Sequence, residues 1–329
     1  MLMPKRISKK PIFGVVSTSY PYALELPVRY ERALNSLKSL GFSYKEGKYL
    51  KTKTGFTAGT AKQRAEDINN MFADPQVEAI LCVNGGSMSS EVLEFIDYEI
   101  IKKNPKPFVG YSDVTSILSG INAKTGLITF HGPMLIPQFG EVPQILDFSF
   151  KSFNQVLRGI NEFELRSSKE WTDEFLDGKK GEDVRPRKTK INDTYQIIRK
   201  GEAKGNIIVG NLRILCSLLG TPYFPSMDNI ILFLEDLNLN TAEFKRNMIH
   251  LHHAGIMKKV KAVVVGRLLM CKEKDGISVE QILKEVVKEG PIIIGADFGH
   301  TDPMLTIPFG AKCRINSAGQ IIVSDFNVQ

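Results

Sequence analysis

Short apolar runs that stop on small or polar residues, each followed by a helix-period segment, constrain this chain most. Residues 12–16 run into Ser17-Thr18-Ser19, residues 77–83 into Asn84-Gly85-Gly86-Ser87, and Phe108-Val109 into Gly110-Tyr111-Ser112. Amphipathic patterns fill the gaps: Tyr30, Ala33, Leu34, Leu37 and Leu40 up to Gly41, then about 61–72 up to Pro75, then Val92, Leu93, Phe95, Ile96 and Ile100. Residues 127–130 add a further strand. Strands alternating with helices predict a doubly wound parallel sheet covered on both faces. Binding groups in such sheets collect at the carboxyl ends of the strands. Ser17 to Ser19, Gly85-Gly86, Ser112 and His131 are therefore expected along one edge.

The pattern loosens from about 137 to 191, and 167–193 is polar, with Gly178, Gly181 and Pro186. A linker followed by a long loop is the reading. That loop holds the single tryptophan, Trp171, which either packs back on its own domain or stacks on a ligand or partner, because indole is costly to leave in water. Apolar strands resume at 205–209, 230–234, 262–265 and 292–294, and a terminal hairpin is expected around Gly319. The expected division is 1–150 as the nucleophile domain, 151–200 as linker and loop, and 201–329 as a smaller α/β domain with a mainly β, barrel or sandwich-like core.

At 329 residues two domains with real cores fit. The net charge of +7 gathers partly at Lys5, Arg6, Lys9 and Lys10 and partly over 179–190. Such runs are usually solvated tails or loops, and they also suit an anionic substrate; no aromatic residues interleave with them, which makes nucleic acid the weaker match. Cys82, Cys216, Cys271 and Cys313 have no CxxC spacing, so free thiols are expected rather than disulfides or zinc. No apolar stretch approaches a membrane span, and the chain reads as cytoplasmic.

A strand turning sharply into a helix with Ser112 at the turn has the layout of a nucleophile elbow, although serine also fills the N-cap role there. Val114, Ile117, Leu118 and Ile121 mark the helix. A serine nucleophile needs a base, a carboxylate to orient it and donors for the oxyanion. His300 sits on a tight loop at a strand's end before Thr301-Asp302-Pro303, and Glu235 ends a strongly apolar strand, where a carboxylate demands a specific partner. His131 also ends a strand and suits either a catalytic or a structural role. His250, His252 and His253 share one helix, but no Cys or acidic partner completes a metal motif. A non-catalytic ligand-binding protein with Ser112 as a cap is the reading from another class.

Val83-Asn84-Gly85-Gly86, Gly110-Tyr111-Ser112-Asp113-Val114-Thr115 and Lys124-Thr125-Gly126 resemble the N-terminal half of the LD-carboxypeptidase family of serine peptidases. Gly210-Asn211-Leu212, Phe233-Leu234-Glu235-Asp236 and the run from Gly299-His300 through Pro303, Thr306, Pro308 and Gly310 resemble its C-terminal half. The resemblance implies a Rossmann-like, class I amidotransferase-like first domain, a Ser112-Glu235-His300 triad and an oxyanion hole from the N–H groups of Gly86 and Asp113. It further implies substrate contacts at Gly85, Ser87, Trp171 and Asn211, a homodimer, and no cofactor or metal. Trp171-Thr172-Asp173-Glu174 resembles a loop of the microcin C immunity proteins within this family, whose Trp stacks on the nucleotide base. The implied substrate is a small peptide-nucleotide cleaved beside an aspartyl residue, with a murein tetrapeptide as the alternative. Met88 departs from the pattern, standing where family members with that loop carry Asn, and the basic segment after Trp171 has no counterpart in it.

Overall fold

The computed structural model describes residues 1–326. Its N-terminal sheet contains β1 (Ile12–Val16), β2 (Ser43–Glu46), β3 (Ala79–Cys82), β4 (Phe108–Gly110) and β5 (Thr129–His131), all parallel where they pair. β1, β3, β4 and β5 are almost wholly buried, which explains their uninterrupted apolar runs. β2 reads Ser-Tyr-Lys-Glu and lies at the sheet's edge, half-exposed, so it has no such signature. Helices Pro27–Ser39, Ala61–Ala73 and Thr115–Thr125 fall on the predicted patterns. A capping box between Thr60 and Gln63 starts the second of them.

The region expected as linker and loop carries structure of its own. A helix at Asp147–Leu157 buries Phe153, Val156 and Leu157, and short strands follow: β6 (Glu162–Glu164), the two-residue pair β7 (Glu170–Trp171) and β8 (Lys190–Ile191), and β9 (Gln196–Arg199). The second sheet continues with β10 (Ala203–Asn211), β11 (Ile230–Glu235), β12 (Val260–Gly266) and β13 (Ile292–Ala296), all parallel. The chain then gives β14 (Ile307–Phe309) and the terminal hairpin of β15 (Lys312–Ile315) and β16 (Ile321–Ser324). The second sheet's order is β6-β16-β15-β10-β11-β12-β13-β9, a parallel centre flanked by antiparallel strands. An N-terminal parallel sheet and a sheet-rich C-terminal half are thus the architecture.

β14 does not join that second sheet. It pairs antiparallel with β5, Ile307 opposite His131, and completes the order β14-β5-β4-β3-β1-β2. The two sheets therefore exchange chain beside the strand ends that carry the site. Among the described residues no helix is long and apolar enough to cross a membrane, and all four cysteines are free thiols.

Candidate active site

Two residues past β4, Ser112 has φ 63°, in the left-handed region that residues with a β-carbon seldom enter. A strained turn of this kind is the backbone geometry a nucleophile elbow requires. Its side chain caps nothing: the chain enters the helix Thr115–Thr125 through a short 3₁₀ turn with no side-chain cap. Its Oγ lies 3.0 Å from Nε2 of His300, and Nδ1 of His300 lies 2.5 Å from Oε2 of Glu235. An ionised carboxylate only accepts, so Nδ1 carries the imidazole proton and Nε2 is left to accept from the Ser112 hydroxyl.

Glu235 ends β11 wholly buried. Burial, the largest single influence, pushes its carboxyl up, but the interactions with His300, joined by smaller ones with His131 and Asn211, together hold it below the usual range. Gly299, at φ 100°, carries the loop over this carboxylate. A Cβ there would lie 2.7 Å from Cβ of Glu235, so the Gly-His order is a steric requirement.

His131 ends β5 behind these residues. Its ring meets Tyr111 and Phe298 edge-on at 5.8 Å each, and Tyr111 meets His300 edge-on at 5.0 Å. Burial drives its pKa down to about 4, so it stays neutral. An unfolded imidazole takes up a proton below about pH 6.5. This group's contribution to stability is therefore present above that pH and is lost as the pH falls toward 4. Replacing His131 with Phe should flatten the acid limb of stability between pH 6.5 and 4 by up to about 3 kcal/mol. Urea unfolding of both proteins at pH 7 and pH 5 checks this, and an unchanged slope would refute it.

Gly85 packs on the serine: a Cβ on it would lie 3.2 Å from Oγ of Ser112 and 3.5 Å from the Asp113 nitrogen. The N–H groups of Gly86 and Asp113 have no acceptor among the described residues. Gly86 lines a cleft of about 470 Å³ whose lining also includes Ser112, His300, Tyr20, Tyr22, Met134 and Phe175. The arrangement offers an activated hydroxyl, a base held by a buried carboxylate, and unpaired backbone donors beside the hydroxyl.

The other expected contacts lie elsewhere. Ser87 is exposed and accepts from the Tyr20 hydroxyl at 2.9 Å. Asn211 is buried; its Nδ2 donates to Asp236 and its Oδ1 accepts from the Ile214 N–H. Its own N–H donates to Oγ1 of Thr115, joining β10 to the helix behind Ser112. Trp171 stands outside the cleft lining, with Nζ of Lys190 and the Arg267 guanidinium each over its ring, 4.9 Å from the centroid. The backbones of Thr172 and Asp302 bond to each other in both directions, docking this loop beside His300. Among the described residues no group of three His, Cys, Asp or Glu side chains is arranged to hold a metal.

Sequence reasoning did not single out Arg187, Glu141, Asp302 or Gln138. Nε of Arg187 donates to Glu141 at 3.0 Å and its Nη2 to Asp302 at 2.7 Å. Glu141 also accepts from Arg29 at 2.8 Å, and burial lifts its carboxyl above the ordinary value against the pull of both arginines. Gln138 donates to the Tyr111 hydroxyl at 3.1 Å and to Asp302 at 3.3 Å. This network forms the cleft floor and occupies the most buried cation of the basic segment. Lys179 and Arg185 pair with Glu25 and Glu174 nearer the surface.

Known proteins resemble the chain over most of its length. Residues 13–132 match the LD-carboxypeptidase N-terminal domain and residues 204–315 the LD-carboxypeptidase C-terminal domain. The microcin C7 self-immunity protein MccF of Escherichia coli is 36% identical over 312 residues, covering 92% of this chain and 90% of that protein. A Bacillus subtilis relative, described as a probable murein peptide carboxypeptidase, is 31% identical over 99% of this chain and 95% of its own. The solved structure of MccF in complex with aspartyl sulfamoyl adenosine superposes with a TM-score of 0.94 at 32% identity, over all of both chains. The chain belongs to the LD-carboxypeptidase family.

Proposed function

We propose that the protein is a serine peptidase that hydrolyses an amide beside an acidic residue of a small peptide-nucleotide. The observation that carries the reading is the unbroken path from Ser112 through His300 to buried Glu235, open to the cleft at the serine end. Oγ of Ser112 attacks the carbonyl carbon while Nε2 of His300 takes its proton, and Glu235 keeps Nδ1 protonated and stabilises the imidazolium. The N–H groups of Gly86 and Asp113 face the oxygen that becomes negative, and the helix starting at Thr115 adds a favourable dipole. Collapse expels the amine with the proton from His300, and water then releases the acyl group by the reverse sequence.

The peptide-nucleotide substrate is supported by MccF, which is named for self-immunity to microcin C7 and has been solved with aspartyl sulfamoyl adenosine. Two aromatic residues of the 167–193 loop are available to a planar base. Phe175 already lines the cleft, and Trp171 reaches it only by leaving Lys190 and Arg267. A murein tetrapeptide is the second reading, favoured by the Bacillus subtilis relative. Homodimeric assembly and a cytoplasmic location belong to the same proposal, on the family resemblance. The test is a side-by-side assay of the purified protein, with a kcat/KM for aspartyl sulfamoyl adenosine at least about tenfold above that for the tetrapeptide as the expected result. The reverse order transfers the assignment to murein.

A further inference from the structure

Ser19 belongs to the Ser17-Thr18-Ser19 run at the site's edge, and the mechanism above gives that run no task. β1 and β3 are hydrogen-bonded neighbours with Val16 opposite Cys82, so the loops after them leave the sheet side by side. There the wholly buried Ser19 hydroxyl accepts two consecutive N–H groups, from Ser87 at 3.0 Å and Met88 at 2.9 Å. The fit is close, since a Cβ on Gly86 would run into Oγ and Cβ of Ser19.

Further bonds hold the same turn. The Tyr20 hydroxyl donates to Ser87 Oγ at 2.9 Å, and buried Arg64 donates to the Met88 carbonyl at 3.3 Å. The Ser89 N–H donates to the Asp113 carboxylate at 2.9 Å, and Ser89 Oγ pairs with Thr18 Oγ1 at 2.9 Å. Gly85 donates to Asn84 Oδ1. Along 85–89, every N–H except that of Gly86 therefore has an acceptor among the described residues. The side chain of residue 88 takes no part in these bonds, so Met in place of Asn leaves the turn intact.

We infer that Ser19 is the positioning residue of the oxyanion site, holding the turn so that the Gly86 N–H alone is free and faces the carbonyl that Ser112 attacks. Ser19 lies outside the cleft lining and its hydroxyl is taken up by the Ser87 and Met88 N–H groups, so it acts through Gly86. The inference rests on the functional reading above. A preorganised donor is worth about 10²- to 10³-fold in turnover when removed, and one left present but loosely aimed forfeits part of that. The effect belongs in the transition state and leaves substrate binding nearly untouched.

The test is steady-state kinetics of Ser19→Ala and Ser19→Cys on aspartyl sulfamoyl adenosine and the murein tetrapeptide. It runs beside inhibition by an aspartyl boronic acid, whose tetrahedral adduct on a serine mimics the oxyanion. Ser19→Ala is expected to lower kcat about 10- to 100-fold with KM within about threefold, and to weaken the boronate in proportion to kcat. Its unfolding midpoint should stay within about 5 °C of the parent. Ser19→Cys, similar in size but a weak acceptor, falls between; if the Ala variant does not fold, the Cys variant decides by the same criteria. A kcat within about twofold of the parent, or a loss confined to KM with boronate affinity kept, overturns the inference. Ser112→Ala runs alongside as a control: full turnover there, or a parent that cleaves neither substrate, defeats the functional reading instead.

Discussion

Ser112→Ala is expected to fold as the parent does and to lose about 10⁶-fold in kcat, the scale seen when a serine peptidase loses its nucleophile. Alanine keeps a β-carbon at φ 63°, so the local backbone strain is the same before and after. The substitution removes one hydrogen bond, to His300, and leaves that imidazole beside the open cleft, where water can reach it. Stability should therefore move by no more than about 1 kcal/mol. Residual turnover above the uncatalysed rate is still expected, because backbone donors and substrate positioning survive. Steady-state rates together with a thermal melt check both halves, and turnover close to the parent's would remove Ser112 from its assigned role.

Glu235→Gln is expected to cost about 10⁴-fold in kcat with little change in KM. The amide is nearly isosteric, so the buried space stays filled. What is lost is the charge that favours an imidazolium and the strict acceptor that keeps the proton on Nδ1. A Gln NH₂ turned toward His300 would stabilise the tautomer with Nε2 protonated, which cannot take a proton from Ser112. Glu235 is wholly buried and meets His300 through one oxygen, so no neighbouring water can take its place. A variant with more than about a tenth of the parent's kcat would show that the carboxylate only fills space.

Much of the site was legible because its members end buried strands. Apolar runs that stop on Ser112, Glu235 or the Gly299-His300 pair announce both the strand and the polar residue exposed at its end. What stayed hidden depends on packing between segments distant in sequence. Arg187 cannot be told from Lys179 or Arg185 by composition, since only its burial against Glu141 and Asp302 separates it from surface cations. β2 lacks a signature because an edge strand faces water, and the Asp147–Leu157 helix was lost among the Pro and Gly residues around it. Ser19 could be placed on the right edge from sequence, yet its task needs the Ser87-Met88 turn beside it. The Trp171 ring illustrates a different limit: sequence leaves open whether it packs on its own domain or stacks on a ligand or partner, and the structure sets two cations of this chain against it.

The return of β14 to the first sheet bears on how far the protein can be taken apart. The chain leaves the second sheet at Ala296 and enters the first at Ile307, with His300 between the two anchor points. The N-terminal matched segment ends at residue 132, so by itself it carries five strands of a six-stranded sheet. Cut there, it would present β5 as a bare hydrogen-bonding edge, the kind of surface that recruits foreign strands. The C-terminal segment, cut from the first, would hold its histidine by one end only. Family boundaries drawn along the sequence therefore do not mark interchangeable modules: a graft of one half onto a relative must also match the β5–β14 register, or His300 is presented to the wrong place.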